Sequence, residues 1–356
     1  MRNVLLLICV FWLAQPGATE YRPDGNERWV LHTGLPLTDD MILLHQEMDK
    51  GGNDAARLQL ARAYLHGARR PGFDDWFHQA EQLLQGVSAN GRTTTDYFLL
   101  VADIQQQQHQ FVAALESLAK VFQLHSTHVQ ASLMAARVYL ALDQLDNAQR
   151  ACGRLWQQDL FLFSVCQYEV AGRRGQWQQS YSALQQLWQR QPNLPVALDI
   201  WLRGILAEQA EQLGLNVIAI QWLEPVLAQA PTSIWLKWAD LSLSLGQGRA
   251  VYQLLSELPL SQLADSLLVR LARAEIQLGK PGSYTETLHD RMQVRLARGD
   301  SEHAADVAHY FFYIVDDAKA ALQWAERNYH TAKEPDDKHL LTLSLRALEA
   351  NSEVLE

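Results

Sequence analysis

What this chain lacks narrows its chemistry. Three cysteines, Cys9, Cys152 and Cys166, stand among 356 residues, and none has the spacing of a redox pair or of the paired ligands of structural zinc. No Gly-x-Ser-x-Gly elbow, phosphate-binding glycine loop or dinucleotide fingerprint occurs, so the common sequence grounds for a hydrolase or a nucleotide-binding enzyme are missing. Positive charge is in deficit: 30 Lys and Arg against 40 Asp and Glu give −10. A nucleic acid or an anionic membrane surface finds no electrostatic footprint here, whereas a cationic partner is permitted. Proline is sparse, at 11, and mostly punctuates loops. No apolar run of 18 residues occurs, so no segment has the length of a bilayer span.

The longest apolar run opens the chain. Arg2 supplies a positive start, Val4 to Ala14 an apolar stretch of 11 residues, and Pro16-Gly17-Ala18 a small-residue exit. This is the pattern of a secretory signal over residues 1–18, cleaved after Ala18. Eleven helical residues cover about 16 Å, well short of a bilayer core of about 30 Å; an uncleaved anchor is the alternative. Cys9 lies inside the run and follows no lipobox, which argues against lipidation. Export leaves Cys152 and Cys166, and two readings of that pair are open. They form a disulfide across neighbouring helices, worth about 3 kcal/mol for a loop this short, or they are two small buried apolar residues.

What is present is a helix-pair pattern with a period of 34. Ala102 and Ala136 are 34 apart, as are Ala114 and Ala148. The order Ala136-Arg137-Val138-Tyr139-Leu140, then Ala148, Cys152 and Leu155, is echoed by Ala61-Arg62-Ala63-Tyr64-Leu65. Residues 19–52 read as an irregular arm with Pro23, Gly25, Gly34 and Pro36, then a short helix from Asp39 ended by Gly51-Gly52. The pairs begin near Asn53, Thr94, Thr127, Phe161, Asn193 and Ser233. A seventh turns at Leu278-Gly279 and Pro281-Gly282, and an eighth carries Ala321, Leu322 and Ala325. A polar helix from about Asp336 to Ala350 then suits a solubilising cap. Gly67 to Gly72 reads as a surface insertion in the first pair.

Small residues at fixed offsets and the separator Gln191-Pro192-Asn193-Leu194-Pro195 resemble the tetratricopeptide repeat over roughly residues 53–350. The resemblance implies an all-α, right-handed solenoid of about eight helix pairs in one continuous domain, closed by a C-terminal capping helix. The tail from Asp317 through Glu334-Pro335-Asp336-Asp337 is similar to the ends of uncharacterised exported bacterial proteins of this class. That similarity brings no activity with it.

In such solenoids the first helix of each pair lines the concave face. One step past the small residue of each repeat stand Arg62, Asp103, Arg137, Glu169 and Glu208. They form either a polar groove for an extended peptide or partner helix or an ordinary solvated face. Trp201 and Trp235 are either exposed anchors or packing between repeats. His303, Asp306 and His309, with Glu302 alongside, are weak metal candidates, because the two imidazoles diverge by about 120° on a helix. His125 and His128 form a second loose cluster, and solvation or capping is the stronger reading of both.

The expectation is an exported, noncatalytic scaffold without a cofactor, periplasmic or peripherally bound to the envelope. It would hold a protein or peptide partner in its groove and bind no nucleic acid. The alternatives are an envelope enzyme using groove carboxylates and a metal or small-molecule carrier using the His303–His309 region.

Overall fold

The pattern of short apolar runs at helical spacing, broken by turn residues, folds as helix after helix. The computed structural model describes residues 37–299 and 303–353; the signal, the arm through residue 36 and Glu302 lie outside them. A short helix α1 (Asp39–Asp49) precedes eight antiparallel pairs. They are α2 (Asp54–Ala68) with α3 (Asp75–Gln85), α4 (Thr95–Gln107) with α5 (Phe111–Leu124), α6 (Val129–Ala141) with α7 (Leu145–Gly153), and α8 (Leu160–Arg173) with α9 (Trp177–Gln189). Then come α10 (Val196–Gln212) with α11 (Asn216–Leu223), α12 (Thr232–Ser244) with α13 (Gly248–Leu255), α14 (Asp265–Gln277) with α15 (Ser283–Arg298), and α16 (Ala304–Tyr310) with α17 (Ala318–Thr331). Helix α18 (Pro335–Glu353) ends the array. All regular elements among the described residues are helical, and none is long and apolar enough to cross a membrane.

Local chemistry starts and stops these helices. Asn53, Thr94, His128, Asp159 and Asp317 each accept a hydrogen bond from a backbone N–H of the first helical turn, satisfying donors the helix itself cannot. The turn inside each of pairs two to eight needs a left-handed residue. His109, Asp143, Gly175, Gly214, Gly246, Gly279 and Asp316 fill it, all with positive φ. Glycine takes that conformation freely and the others at some strain.

Packing then follows the period. Small residues such as Ala102, Ala136 and Ala148 are fully or almost fully buried and let neighbouring helices approach. One apolar cluster joins pairs two to four, and a larger one joins pairs four to eight, with Phe161 and Trp201 packed against both. Polar side chains repeat the same spacing. The Asp54 carboxylate accepts from Ser88 N at 3.0 Å, Arg62 donates to Asp96 at 2.8 Å, Arg69 donates to Asp103, and Gln277 donates to the Leu243 carbonyl at 2.9 Å, each across 34 residues. Contacts between equivalent positions of adjacent repeats are what define a solenoid.

The array coils tightly enough for its turns to meet. Thr232, at the start of α12, donates its N–H (2.7 Å) and its hydroxyl (3.0 Å) to the Arg69 carbonyl. Lys333 N, before α18, donates to the Ala141 carbonyl at 2.8 Å. Arg173 donates to the carbonyls of Leu140 and Lys333, both at 3.1 Å. Ala332 is buried against Phe111, Ala114, Val138 and Ala141. The intra-pair turns of pairs one to four thus seat on the inter-pair turns ahead of pair six and of the cap. The insertion at Gly67–Gly72 belongs to this seam through Arg69 and is not a passive surface loop. At Gly67 a Cβ would fall 2.3 Å from the Trp76 ring, so the close approach of α2 and α3 requires glycine.

Candidate functional site

Four first helices, α6, α8, α10 and α12, place Arg137, Glu169, Glu208 and Lys237 on the concave face, where they sense one another electrostatically. Their surroundings are walled by protein yet reached by water: the Arg137 side chain is 50% exposed, while Glu169 and Glu208 are half-buried. Burial pushes the Glu169 carboxyl up to about 7; Arg137 opposes that shift and Glu208 adds to it. Burial raises Glu208 as well, with Arg173 and Lys237 opposing. Burial would lower Lys237, but Asp336, Glu211 and Glu208 overcome it and hold the ammonium firmly charged.

The cations here are already engaged by the chain itself. Lys237 binds Glu211 at 2.6 Å and also Asp336 of α18. Arg173 is spent on backbone carbonyls at the seam, and Arg137 has Glu334 at 4.0 Å. Among the described residues neither Glu169 nor Glu208 accepts a hydrogen bond or lies within 4 Å of a basic group. Two carboxylates with weak internal neutralisation therefore face the groove.

Of the residues expected at the groove, Arg137, Glu169 and Glu208 come together and two others do not join them. Arg62 pairs with Asp96 at the first repeats. Asp103 is buried and bound to Arg69, because an acid beside a small packing residue in α4 meets the neighbouring α2 and not the open groove. Of the two tryptophans, only Trp235 is withdrawn from the surface. Trp235 is buried, at 9% exposure, within the larger core, and Trp201 is half-buried between the two cores. Both bridge repeats. Sequence reasoning missed Arg173, Glu211 and Lys237. Arg173 and Glu211 lie four and three residues beyond Glu169 and Glu208, so the next turn on the same helix face was a usable signal. Glu334 and Asp336 gave none, since only the coiling brings them here.

In pairs six to eight the same face is sealed. Asp240 on α12 accepts from Arg270 Nη2 at 2.7 Å and from Arg273 Nη1 at 2.6 Å, both on α14. The two guanidiniums hold its carboxyl far below the usual range despite burial, which opposes them. His309 on α16 accepts at Nε2 from Arg270 at 3.0 Å. Burial first, and then Arg270, keeps that imidazole neutral. Arg273 lies 3.4 Å from the Tyr313 ring centre, and a π turn over Phe311–Val315 follows α16 directly.

Asp306 lies 3.6 Å from Arg270 and His309 bonds the same guanidinium, so both address a resident cation. His303 is exposed just before α16. Among the described residues no three His, Cys, Asp or Glu side chains gather where an ion would sit. His125 and His128 line an open pocket with Thr94, Thr95, Asp96 and Thr127, and His128 caps α6. Between α7 and α8 the buried Cys152 and Cys166 form a disulfide, with Cα atoms 5.6 Å apart, inside the normal range.

With this geometry in place, comparisons with known proteins bear on the fold. A tetratricopeptide-repeat family model matches residues 106–160, the stretch from the end of α4 to the start of α8. Among solved structures, the Cut9–Hcn1 hetero-tetramer of the APC/C shares 14% identity, covering 86% of this chain and 68% of that one with a TM-score of 0.37. A tetratricopeptide-repeat protein from Parabacteroides merdae shares 13% identity, covering 86% and 97% with a TM-score of 0.31. No curated protein sequence matches the chain. The stretch matched by the tetratricopeptide-repeat model is continued on both sides by helix pairs with the same left-handed turn position and the same 34-residue contacts.

Proposed function

We propose that this protein is an exported, noncatalytic scaffold that holds a protein partner of the cell envelope in the concave face of pairs three to six. Repeat solenoids use such surfaces for partners more often than for chemistry. The observation that carries the reading is the half-buried pair Glu169 and Glu208, which face the groove without hydrogen-bonded or ion-paired partners among the described residues. A Lys or Arg side chain or an N-terminal amine of an extended segment would neutralise them, with Arg137 beside them to take a carbonyl or a carboxylate. Export is supported by the N-terminal pattern and by the Cys152–Cys166 disulfide, which persists in oxidising compartments. Location in the periplasm or at its membranes follows from that reading.

The test is crosslinking in the native cell, capture of the tagged protein and identification of its partner. The same capture is then run with Glu169→Gln and Glu208→Gln combined. The reading expects one reproducible envelope protein whose yield falls at least tenfold in the double variant. Capture that is indifferent to both changes would remove the groove from the account. The second reading, an envelope enzyme, is favoured by a carboxyl held up to about 7, near the working range of a general acid. It would gain if the single Glu169→Gln change abolished the cellular phenotype while leaving capture intact.

A further inference from the structure

The coiling docks one edge of the solenoid on the other and leaves two edges bare. Intra-pair turns of pairs one to four are seated on inter-pair turns near Thr232 and Lys333. Among the described residues, nothing from another part of the array bonds to the inter-pair turns of the first half or the intra-pair turns of the second half. Those bare edges carry large apolar side chains. Trp156, Leu160 and Val196 are 56%, 59% and 54% exposed on one. Leu245, Ile276 and Val315 are 40%, 48% and 44% exposed on the other. Where the edges already meet, Ala332 and Ala141 are nearly fully buried, while Val112 at the turn of pair two stays 67% exposed.

We propose that a second copy of this chain covers these surfaces, the bare inter-pair edge of one molecule docking on the bare intra-pair edge of the next, so that copies continue the superhelix head to tail. The occupant is argued from continuity. The molecule makes this edge-to-edge contact with itself, in the same polarity, and the bare edges are the surfaces that would extend it. Of the exposed charges, Arg190 stands on the first edge and Asp316 on the second; Arg154 is held by the Ser126 carbonyl and the Phe122 ring, Asp317 caps α17, and Lys280 also lies on the second edge. The first edge is also preset in shape. Trp156 and Leu160 project from the short segment closed by the Cys152–Cys166 disulfide, and Trp156 stands edge-on to Phe163 at 4.9 Å. A preset contact loses little freedom on docking. Because the two patches differ, the association is heterologous and does not stop at a symmetric dimer. It uses surfaces separate from the groove of Glu169 and Glu208.

Sedimentation velocity of the purified protein over a wide concentration range tests this. The wild type is expected to grow past dimer as concentration rises. Trp156→Glu with Leu160→Glu blocks one edge, Ile276→Glu with Val315→Glu blocks the other, and each blocked variant should sediment as a monomer. An equimolar mixture of the two should form a one-to-one dimer and nothing larger, because each contributes its intact edge. Circular dichroism and the melting midpoint check the fold, with Val196→Glu and Leu245→Glu as milder substitutes if either double variant unfolds. A wild type that stays monomeric throughout would overturn the proposal. So would blocked variants that still dimerise alone, or a mixture that gives no dimer. Self-association should persist in the Glu169→Gln/Glu208→Gln variant, which separates this result from the fate of the groove.

Discussion

The two halves of the concave face are built from the same helix positions and end in opposite states. In pairs three to five, Glu169 and Glu208 reach the groove with no bonded partner while Arg137 remains half-exposed. In pairs six to eight, Asp240, Arg270, Arg273 and His309 consume one another, and the two arginines are 5% and 8% exposed. The difference is one of stoichiometry within reach. Where an acid on one helix meets two cations on the next, the face closes. Where acids on successive helices face cations already tied to the seam or to Asp336, charge is left for something outside the chain. A buried ionic network is weak evidence for net stability, but it fixes how α12, α14 and α16 sit. The sealed half thus serves as a frame for the open one.

The largest effect expected from breaking this contrast comes from the sealed half. Asp240→Ala takes from two buried guanidiniums the carboxylate they share, leaving Arg270 only the more distant Asp306, and removing one partner of such a network costs about 3–5 kcal/mol. The thermal midpoint should fall sharply. A midpoint equal to wild type would mean that the network does not organise this half.

Next comes the disulfide buried between α7 and α8, within the open half. Replacing both cysteines by serine should cost about 3 kcal/mol in the loop-entropy account, read from chemical denaturation, and reducing agent should lower the wild type but not the variant.

The open half gives a smaller effect of opposite sign. Because burial raises the Glu169 carboxyl from 4.5 to about 7, the folded state binds a proton that the unfolded state releases. This residue therefore lowers stability as pH rises between those values and fully above them. Glu169→Gln should stabilise at pH 8, by on the order of 1 kcal/mol after allowance for water in the groove. Below pH 4 the gain should vanish. A pH-independent difference would mean that the carboxyl is not desolvated.

The smallest effect concerns the turns common to both halves. Asp143 holds φ 57 where four of the equivalent positions are glycine, so Asp143→Gly should stabilise by about 0.5–1 kcal/mol from relief of left-handed strain. A loss of stability there would show that the Asp143 side chain makes a contribution of its own.

Much of this could be read from residues. The helix pairs, the internal turns at Leu278-Gly279 and Leu245-Gly246, and the fully buried Ala102 and Ala148 all follow from local propensity and a 34-residue period, because each repeat packs mainly on its neighbours. The candidate site was legible in part. Arg137, Glu169 and Glu208 lie on consecutive first helices, so counting positions found them. Trp235 went the other way, since position along a helix does not say whether a large ring faces the next repeat or the solvent. Asp306 and His309 looked like possible ligands because the sequence does not reveal that Arg270, about 40 residues away, lies between them.

The all-helical repeat, its pairing and the spacing of its packing residues are written in local residue order, because they depend on contacts within one or two repeats. How tightly the array coils emerges from the assembled repeats. That coiling sets Thr232 on Arg69, Lys333 on Ala141 and Asp336 on Lys237. Small rotations at each repeat interface add along the chain, and no single interface encodes their sum. The groove's spare carboxylates, its sealed second half and its bare edges all follow from that sum.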